Sequence, residues 1–329
     1  MSTREGDVGV SRDDAQQQAE AAGVRPRIRR IDFVGHRNIY FLISLVIIIP
    51  GIISMATQGF LLGIDFAGGT EFDLKFNQTP SAAQVRAAVD AEHVNGAIVQ
   101  QATDGTFIIR TQPMTPTQQT AIANDLASKF GGTKERGISS VGGTVAQETV
   151  VTALGAVAVA SVLILLYLAF RFRKVPGGWR SGFQFGGSAL MALLHDVFVL
   201  TGVFSILGRV FNSPLGQIDQ LFLTAVLTVV GFSVHDTIVV FDRIRENLST
   251  TRRLTFDQIA NLSIVQTLDR SIITSFTVVL VLLSLFLFGG ESIKGFVLAL
   301  LVGIVSGTYS SIFNATQLLV VWRRWQPVR

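Results

Sequence analysis

The sequence contains no cysteine, which excludes a disulfide framework and any cysteine-based metal site. Charge is scarce as well: only 15% of the 329 residues are Asp, Glu, Lys or Arg, where an ordinary soluble domain carries about 25%. HExxH, GxSxG and GxxxxGKS/T patterns are all absent, which removes the zinc-hydrolase, serine-hydrolase and P-loop classes. Gly68-Gly69 and Gly142-Gly143 are isolated pairs, too short to cradle a nucleotide. No metal or cofactor is expected, and an intramembrane protease built on Asp196 and Asp236 is the one enzyme class left open.

The missing charge is concentrated in long apolar runs. Hydrophobic residues make up 49% of the chain, the mean hydropathy is +0.48, and six stretches are long enough to cross a bilayer. They run Ile39–Thr57, Thr149–Phe170, Phe185–Leu207, Gln217–Phe241, Ser271–Phe288 and Ile293–Trp322. The net charge of +4 does not point to nucleic acid, because Arg and Lys gather beside the apolar runs as anchors at a lipid surface do. Alternate short segments carry them: Arg171–Arg180, Asp242–Arg270 and the end of the chain at Arg323, Arg324 and Arg329. The opposite loops hold little beyond Arg209 and Lys294, so both termini are expected in the cytoplasm. Residues 1–38, with a late cluster at Arg25, Arg27, Arg29, Arg30 and Arg37, read as a cytoplasmic tail and not as a cleavable signal. Residues 323–329 form a second tail.

Between the first two spans, residues 58–148 are the only stretch large enough to fold outside the membrane. The pattern predicts strand Glu71–Phe76, helix Ser81–Glu92, strand Gly96–Gln101, a hairpin at Asp104-Gly105, strand Phe107–Thr111, helix Thr115–Phe130 and strand Gly137–Val141. Pro80 and Pro116 stand at helix starts. The order βαββαβ is that of a ferredoxin-like α+β sandwich. The expected fold is thus an α-helical membrane protein with six transmembrane helices and a small extracytoplasmic α+β domain. Residues 149–322 make up a five-helix bundle.

Ionisable residues inside a span are costly and are functional candidates by default. His195-Asp196 lies near the middle of the third span and His235-Asp236 towards the cytoplasmic end of the fourth. Arg270 opens the fifth span from the same side, so Asp236 and Arg270 are expected to approach one another. Such a pair reads either as a proton relay or as a structural ion pair that fixes helix packing. His195, Asp196, His235 and Asp242 are possible auxiliaries. Asp242 belongs to the border face with Arg243, Arg245 and Glu246. The small-residue run Ala153–Ser161 and the series Gly295, Gly303 and Gly307 are expected to be close-packing surfaces.

Three strings carry a resemblance. Gly63-Ile64-Asp65-Phe66-Ala67-Gly68-Gly69-Thr70-Glu71-Phe72 resembles the "GIDFxGGT" signature of the SecF family. The eighteen residues Val230 to Asn247 resemble its fourth-span signature, and Gln266 to Ser275 resemble the entry to its fifth span. The likeness extends over about Arg25 to Trp325. It implies an RND-type fold in the bacterial plasma (inner) membrane and pairing with SecD. It further implies work with the SecYEG channel, the SecA ATPase and YajC on translocating preproteins, driven by protons. The family's membrane carboxylate falls on Asp236 and its arginine on Arg270. Gly63, Asp65, Gly68 and Gly69 form the connector to the external domain, with Asp65 a turn or cap residue. His235 stands where the family commonly has Asn, and Val141–Val145 lacks the proline often found ahead of the second span. Two other readings remain open: an RND-type exporter of lipids or small molecules, and a passive scaffold subunit of the translocon.

Overall fold

The computed structural model describes residues 31–327 apart from 93, 95, 96, 103, 252 and 253. Residues 1–30, Arg252, Arg253, Arg329 and the Gly96 strand start therefore lie outside the described residues. Six of the described helices are long and apolar enough to cross a membrane. The first, α1 (Arg37–Gln58), has 22 residues, or about 33 Å of rise, enough for the hydrocarbon core. Pro50 interrupts its hydrogen bonding, and the neighbouring Gly51 lies against the backbone of Gly202, where a Cβ would be 2.8 Å from the Gly202 Cα. Two glycines thus let α1 cross its partner helix at backbone distance. Ser54 and Ser205 close the same seam at 2.8 Å.

The chain then builds β1 (Leu61–Leu62), the short α2 (Ile64–Ala67), β2 (Gly69–Phe76), α3 (Ala82–Ala91), β3 (Ile98–Gln101), β4 (Phe107–Thr111), α4 (Pro116–Lys129) and β5 (Thr133–Val141). The four longer strands form an antiparallel sheet in the order β3-β4-β2-β5, the ferredoxin-like arrangement expected from βαββαβ. Alternation on β2 sends Phe72, Leu74 and Phe76 to one face, where they pack with Val85, Val89, Phe107, Ile109, Ala123 and Leu126. Ser81 with Gln84, and Thr115 with Gln118, make complete capping boxes, and Pro116 occupies the first turn. The hairpin turns at Gly105, whose φ is +86°, with Thr106 N donating to Asp104 Oδ1 at 3.0 Å. Strand β5 begins at Thr133 instead of Gly137 because it pairs along the whole of β2, with an irregularity at Lys75/Phe76.

From β5 the chain passes directly into α5 (Gly143–Arg171), followed by α6 (Gly178–Ser205) with a π-helical turn at Ile206–Val210. Next come β6 (Gln217–Ile218), α7 (Gln220–Thr250), α8 (Phe256–Phe288), α9 (Glu291–Ser310), a second π turn at Ser311–Ala315, and α10 (Thr316–Trp325). Two boundaries differ from expectation. Gln217 starts no helix: it pairs with Leu61 in a parallel two-strand contact, and Asp219 caps α7 instead. The segment Asp242–Arg270 is not a loop, since α7 runs to Thr250 and α8 begins at Phe256. The Thr255–Gln258 capping box sets that start, and polar turns continue the helix below the apolar run.

Two of the three glycines in α9 behave as expected: a Cβ on Gly303 would collide with Val229, and one on Gly307 would meet Ser233 at 3.0 Å, whereas one on Gly295 would make only an ordinary contact with Leu215 O at 3.6 Å. Ala153–Ser161 does not behave as expected. Ala153 is buried, but most of that run is exposed on α5 and nothing approaches Gly155, so within this chain only one edge of it packs.

On the sheet face away from the helices, Asp73 stands opposite Ile108 and Gly137. Burial and then the neighbouring Glu71 charge raise its carboxyl to about 6, with Arg110 pulling the other way. Because the folded domain binds this proton more tightly than the unfolded chain, stability falls as pH rises from about 4 to 6 and stays lower above that. We expect Asp73→Asn to raise hydrogen-exchange protection of residues 69–141 at pH 7.5 and to flatten its change between pH 5 and 7.5, measured on the purified full-length protein.

Candidate functional site in the helix bundle

Four polar loci involve the residues singled out by the sequence. At the end of the bundle that carries the sheet domain, Gly63 N donates to Ile218 O at 2.8 Å, which joins the connector to β6. Asp65 Oδ2 accepts from Gln220 N at 3.1 Å, beside Asp219, whose Oδ1 accepts from Phe222 N at 2.8 Å. Asp65 is therefore a cap, but of α7 and not of its own turn, and both carboxylates suit a helix N-terminus. Gly68 and Gly69 have φ of +72° and +135°. A Cβ on Gly69 would strike the Thr111 carbonyl, and one on Gly68 would lie 3.2 Å from the Gly143 Cα. The pair is required by conformation and close approach, which makes this connector a fixed joint.

At the opposite end, Asp242 Oδ2 accepts from Arg171 at 2.9 Å and Oδ1 lies 3.4 Å from Arg245. This half-exposed pair ties the end of α5 to the body of α7.

Between them lie two carboxylates with opposite surroundings. Asp196 on α6 is 1% exposed. Its Oδ2 accepts from Ser233 of α7 at 2.7 Å and from Ser310 of α9 at 2.6 Å. Its Oδ1 accepts from Ser306 of α9 at 2.8 Å and lies 3.1 Å from His195 Nδ1. Asp236 on α7 is 4% exposed and has almost nothing. Ser271 of α8 reaches its Oδ1 at 3.4 Å, and its Oδ2 is buried without a hydrogen-bond partner. A carboxylate so poorly solvated is held cheaply only when protonated or when a cation moves in. Arg270 precedes Ser271 on α8 and is exposed, and among the described residues no ion pair joins it to Asp236. The two residues thus share a level of the bundle without touching. His235 also faces outward, because consecutive helical residues diverge by about 100°.

Sequence reasoning missed the hydroxyls. Ser311 Oγ donates to Ser233 O at 2.9 Å, and Thr237 Oγ1 donates to Ser311 Oγ at 2.9 Å. Thr308 reaches Ser275 of α8 at 2.6 Å. Tyr309 donates to Tyr40 O at 2.7 Å, and Asn314 donates to Ser44 at 2.9 Å. The last span is the polar hub for α1, α6, α7 and α8. Its signal was the spacing Ser306, Ser310, Asn314 at every fourth residue, in a span that also carries Thr308, Tyr309 and Ser311.

Six apolar helices around buried carboxylates, with a ferredoxin-like domain inserted after the first helix, define a multi-pass membrane protein. Residues 122–325 match the family model described as Protein export membrane protein SecD/SecF, C-terminal, and residues 53–80 match the SecD/SecF GG Motif. The chain is 47% identical over 304 residues to the Protein translocase subunit SecF of Thermobaculum terrenum, covering 89% of this chain and 94% of that one. It is 40% identical to the subunit of the same name from Anaerolinea thermophila, again covering 89% of this chain and 94% of that one. A crystal structure of SecDF in Super-membrane-facing form is similar at a TM-score of 0.62 and 31% identity, covering 90% of this chain and 39% of that longer chain. The chain belongs to the SecF branch of the SecD/SecF family.

The contrast between the two carboxylates has a measurable consequence. Cross-helix hydrogen bonds in membranes average ~0.6 kcal/mol. Asp196→Ala, which removes three of them, should therefore cost roughly 2 kcal/mol. Asp236→Asn, which discharges a nearly unpaired carboxylate, should leave stability unchanged or raise it. Thermal unfolding of both variants in detergent would test this order.

Proposed function

We propose that this chain is the SecF-type subunit of a SecD–SecF pair in the plasma membrane, with both termini cytoplasmic. The pair uses the proton motive force to assist preprotein translocation through SecYEG with SecA, and YajC is a further candidate partner. In this reading the protein is not an enzyme but a proton-driven transport subunit. The observation that carries it is the state of Asp236: buried, with one oxygen unpartnered, the other on a long bond from Ser271, and a guanidinium one residue from that serine.

Such a carboxyl exchanges its proton without breaking a network, and its charge decides whether Arg270 is drawn towards it. Movement of Arg270 carries α8 with it, and α8 is bonded to α9 through Ser275 and Thr308. The route to the outside is short. Asp236 shares α7 with the Asp65-capped N-terminus, and β6 just ahead of α7 is paired with β1 of the connector. Arg110 of the external domain bonds Glu71 at 2.7 Å and Gln100 at 2.8 Å, and also reaches Gln217 of β6. Displacement of α7 is thereby delivered to the sheet that would meet the emerging substrate.

Asp236→Asn in inverted vesicles with the intact partner subunits is expected to lower the gradient-dependent part of preprotein export by roughly tenfold or more. ATP-driven export without a gradient should be retained. Unchanged gradient dependence would sink the relay. Loss of the complex itself would favour the scaffold reading.

A further inference from the structure

His195 lies half-way along the helical span Gly178–Val210 and is 9% exposed. Its two ring nitrogens have different surroundings: Nδ1 is 3.1 Å from Asp196 Oδ1, and Nε2 is buried with no hydrogen-bond partner. The carboxylate beside it accepts from Ser233, Ser306 and Ser310 at 2.7, 2.8 and 2.6 Å. Three hydroxyl donors favour the ionised carboxylate and fix its orientation. An ionised acceptor in turn requires the hydrogen on Nδ1, which leaves the lone pair on Nε2. The serines hold the carboxylate, the carboxylate sets the imidazole tautomer, and a basic nitrogen is presented in the interior.

We propose that His195 Nε2 is a proton-binding site distinct from Asp236, with Asp196 as its fixed counter-ion. The proposal rests on the reading that this bundle moves protons. On protonation an N–H bond forms at the Nε2 lone pair and the ring becomes imidazolium. The site passes from a net charge of −1 to a neutral ion pair, and the proton leaves by the same atom. The change is favoured because an uncompensated charge in a low-dielectric interior is costly even when hydroxyls solvate it, whereas a hydrogen-bonded ion pair carries no net charge.

The surroundings hold no competing cation: among the described residues, no Lys or Arg lies within ion-pair distance of Asp196. From α9 the Tyr309 ring faces the imidazole with centroids 6.1 Å apart, its hydroxyl committed to Tyr40 O at 2.7 Å. Also from α1, Ser44 approaches that hydroxyl at 3.4 Å. From α7 the contact is the neutral Ser233, one helical turn before Asp236. Loading the site therefore changes the charge that grips Ser233, on the helix that carries Asp236.

The test is nitrogen-15 solid-state NMR of the full-length protein, labelled at histidine and reconstituted in liposomes between pH 5 and 9. His195→Gln identifies the His195 signals among the four histidines. We expect the Nε2 signal to pass from the bare-nitrogen to the imidazolium position as pH falls. Asp196→Asn should abolish the imidazolium form at the pH where the wild type is half converted. Should Asp196→Asn fail to fold, the double change Ser306→Ala, Ser310→Ala must displace the same transition. A neutral ring across the whole range, or a titration indifferent to these changes, overturns the proposal. The readout separates it from the proposed function: titration at His195 together with gradient-driven export that survives Asp236→Asn would sink the Asp236 relay and leave this site standing.

Discussion

The interaction on which the membrane half of this protein depends is the grip of Asp196 on three serines. Lipid tails give helices no hydrophobic reason to associate with one another, so packing and interhelical hydrogen bonds must do it. Ser233 belongs to α7, and Ser306 and Ser310 belong to α9. One side chain of α6 therefore specifies which faces of two other helices point inward. Glycine completes the fit: Gly303 and Gly307 bring α9 against Val229 and Ser233, and Gly51 brings α1 against Gly202. The remaining hydroxyls of α9 then fall opposite α1, α7 and α8 without further adjustment. A π turn follows at Ser311–Ala315, and such turns rotate the helix face after them and recur at functional positions.

The sheet domain is attached to this frame largely by polar contacts, beside the buried Leu61 and Ile64 of the connector. Arg110 is 5% exposed, and it is satisfied by Glu71 and Gln100 within the domain and by Gln217 beyond it. Gln100 also donates to the Asn212 carbonyl at 3.0 Å. Hydrogen-bonded contacts of this kind fix register closely while costing less to separate than a buried apolar interface. The glycine pair at 68 and 69 is locked by conformation. The seam around Arg110 is thus held by hydrogen bonds, while the connector is fixed by backbone conformation.

The sequence disclosed the spans, the sandwich and its strand order because each rests on a periodicity that burial enforces locally. Phe72, Leu74 and Phe76 alternate because one face of β2 is core, and Thr115-Pro116 marks a helix start whatever lies around it. The same logic located Asp196 and Asp236, since an aspartate in an apolar run is conspicuous. It could not tell which of the two is saturated. That depends on serines distant in the chain, and a serine in a membrane helix looks the same whether it bonds its own backbone, as Ser161 does to Val157, or reaches another helix, as Ser306 does. The extent of α8 was hidden for a related reason. Its first turns are polar and sit below the apolar run, so hydropathy ended the span at Ser271 while the backbone bonding continued to Phe256.

In the function proposed above, the two carboxylates divide the work that a proton-coupled bundle requires. A group that must exchange a proton cannot also be the one that holds the helices together, because each protonation would loosen the assembly. In this bundle the duties fall on different residues of adjacent helices. Asp196 is saturated, so its ionised form is the bonded form and the helix contacts persist. Asp236 is nearly bare, so its charge can change with little loss of bonding. The residues are coupled because Ser233, which completes the Asp196 site, stands on the same helix as Asp236 and one turn away. A saturated anchor beside an unsaturated exchanger lets charge change at one point while the frame that converts it into movement stays intact.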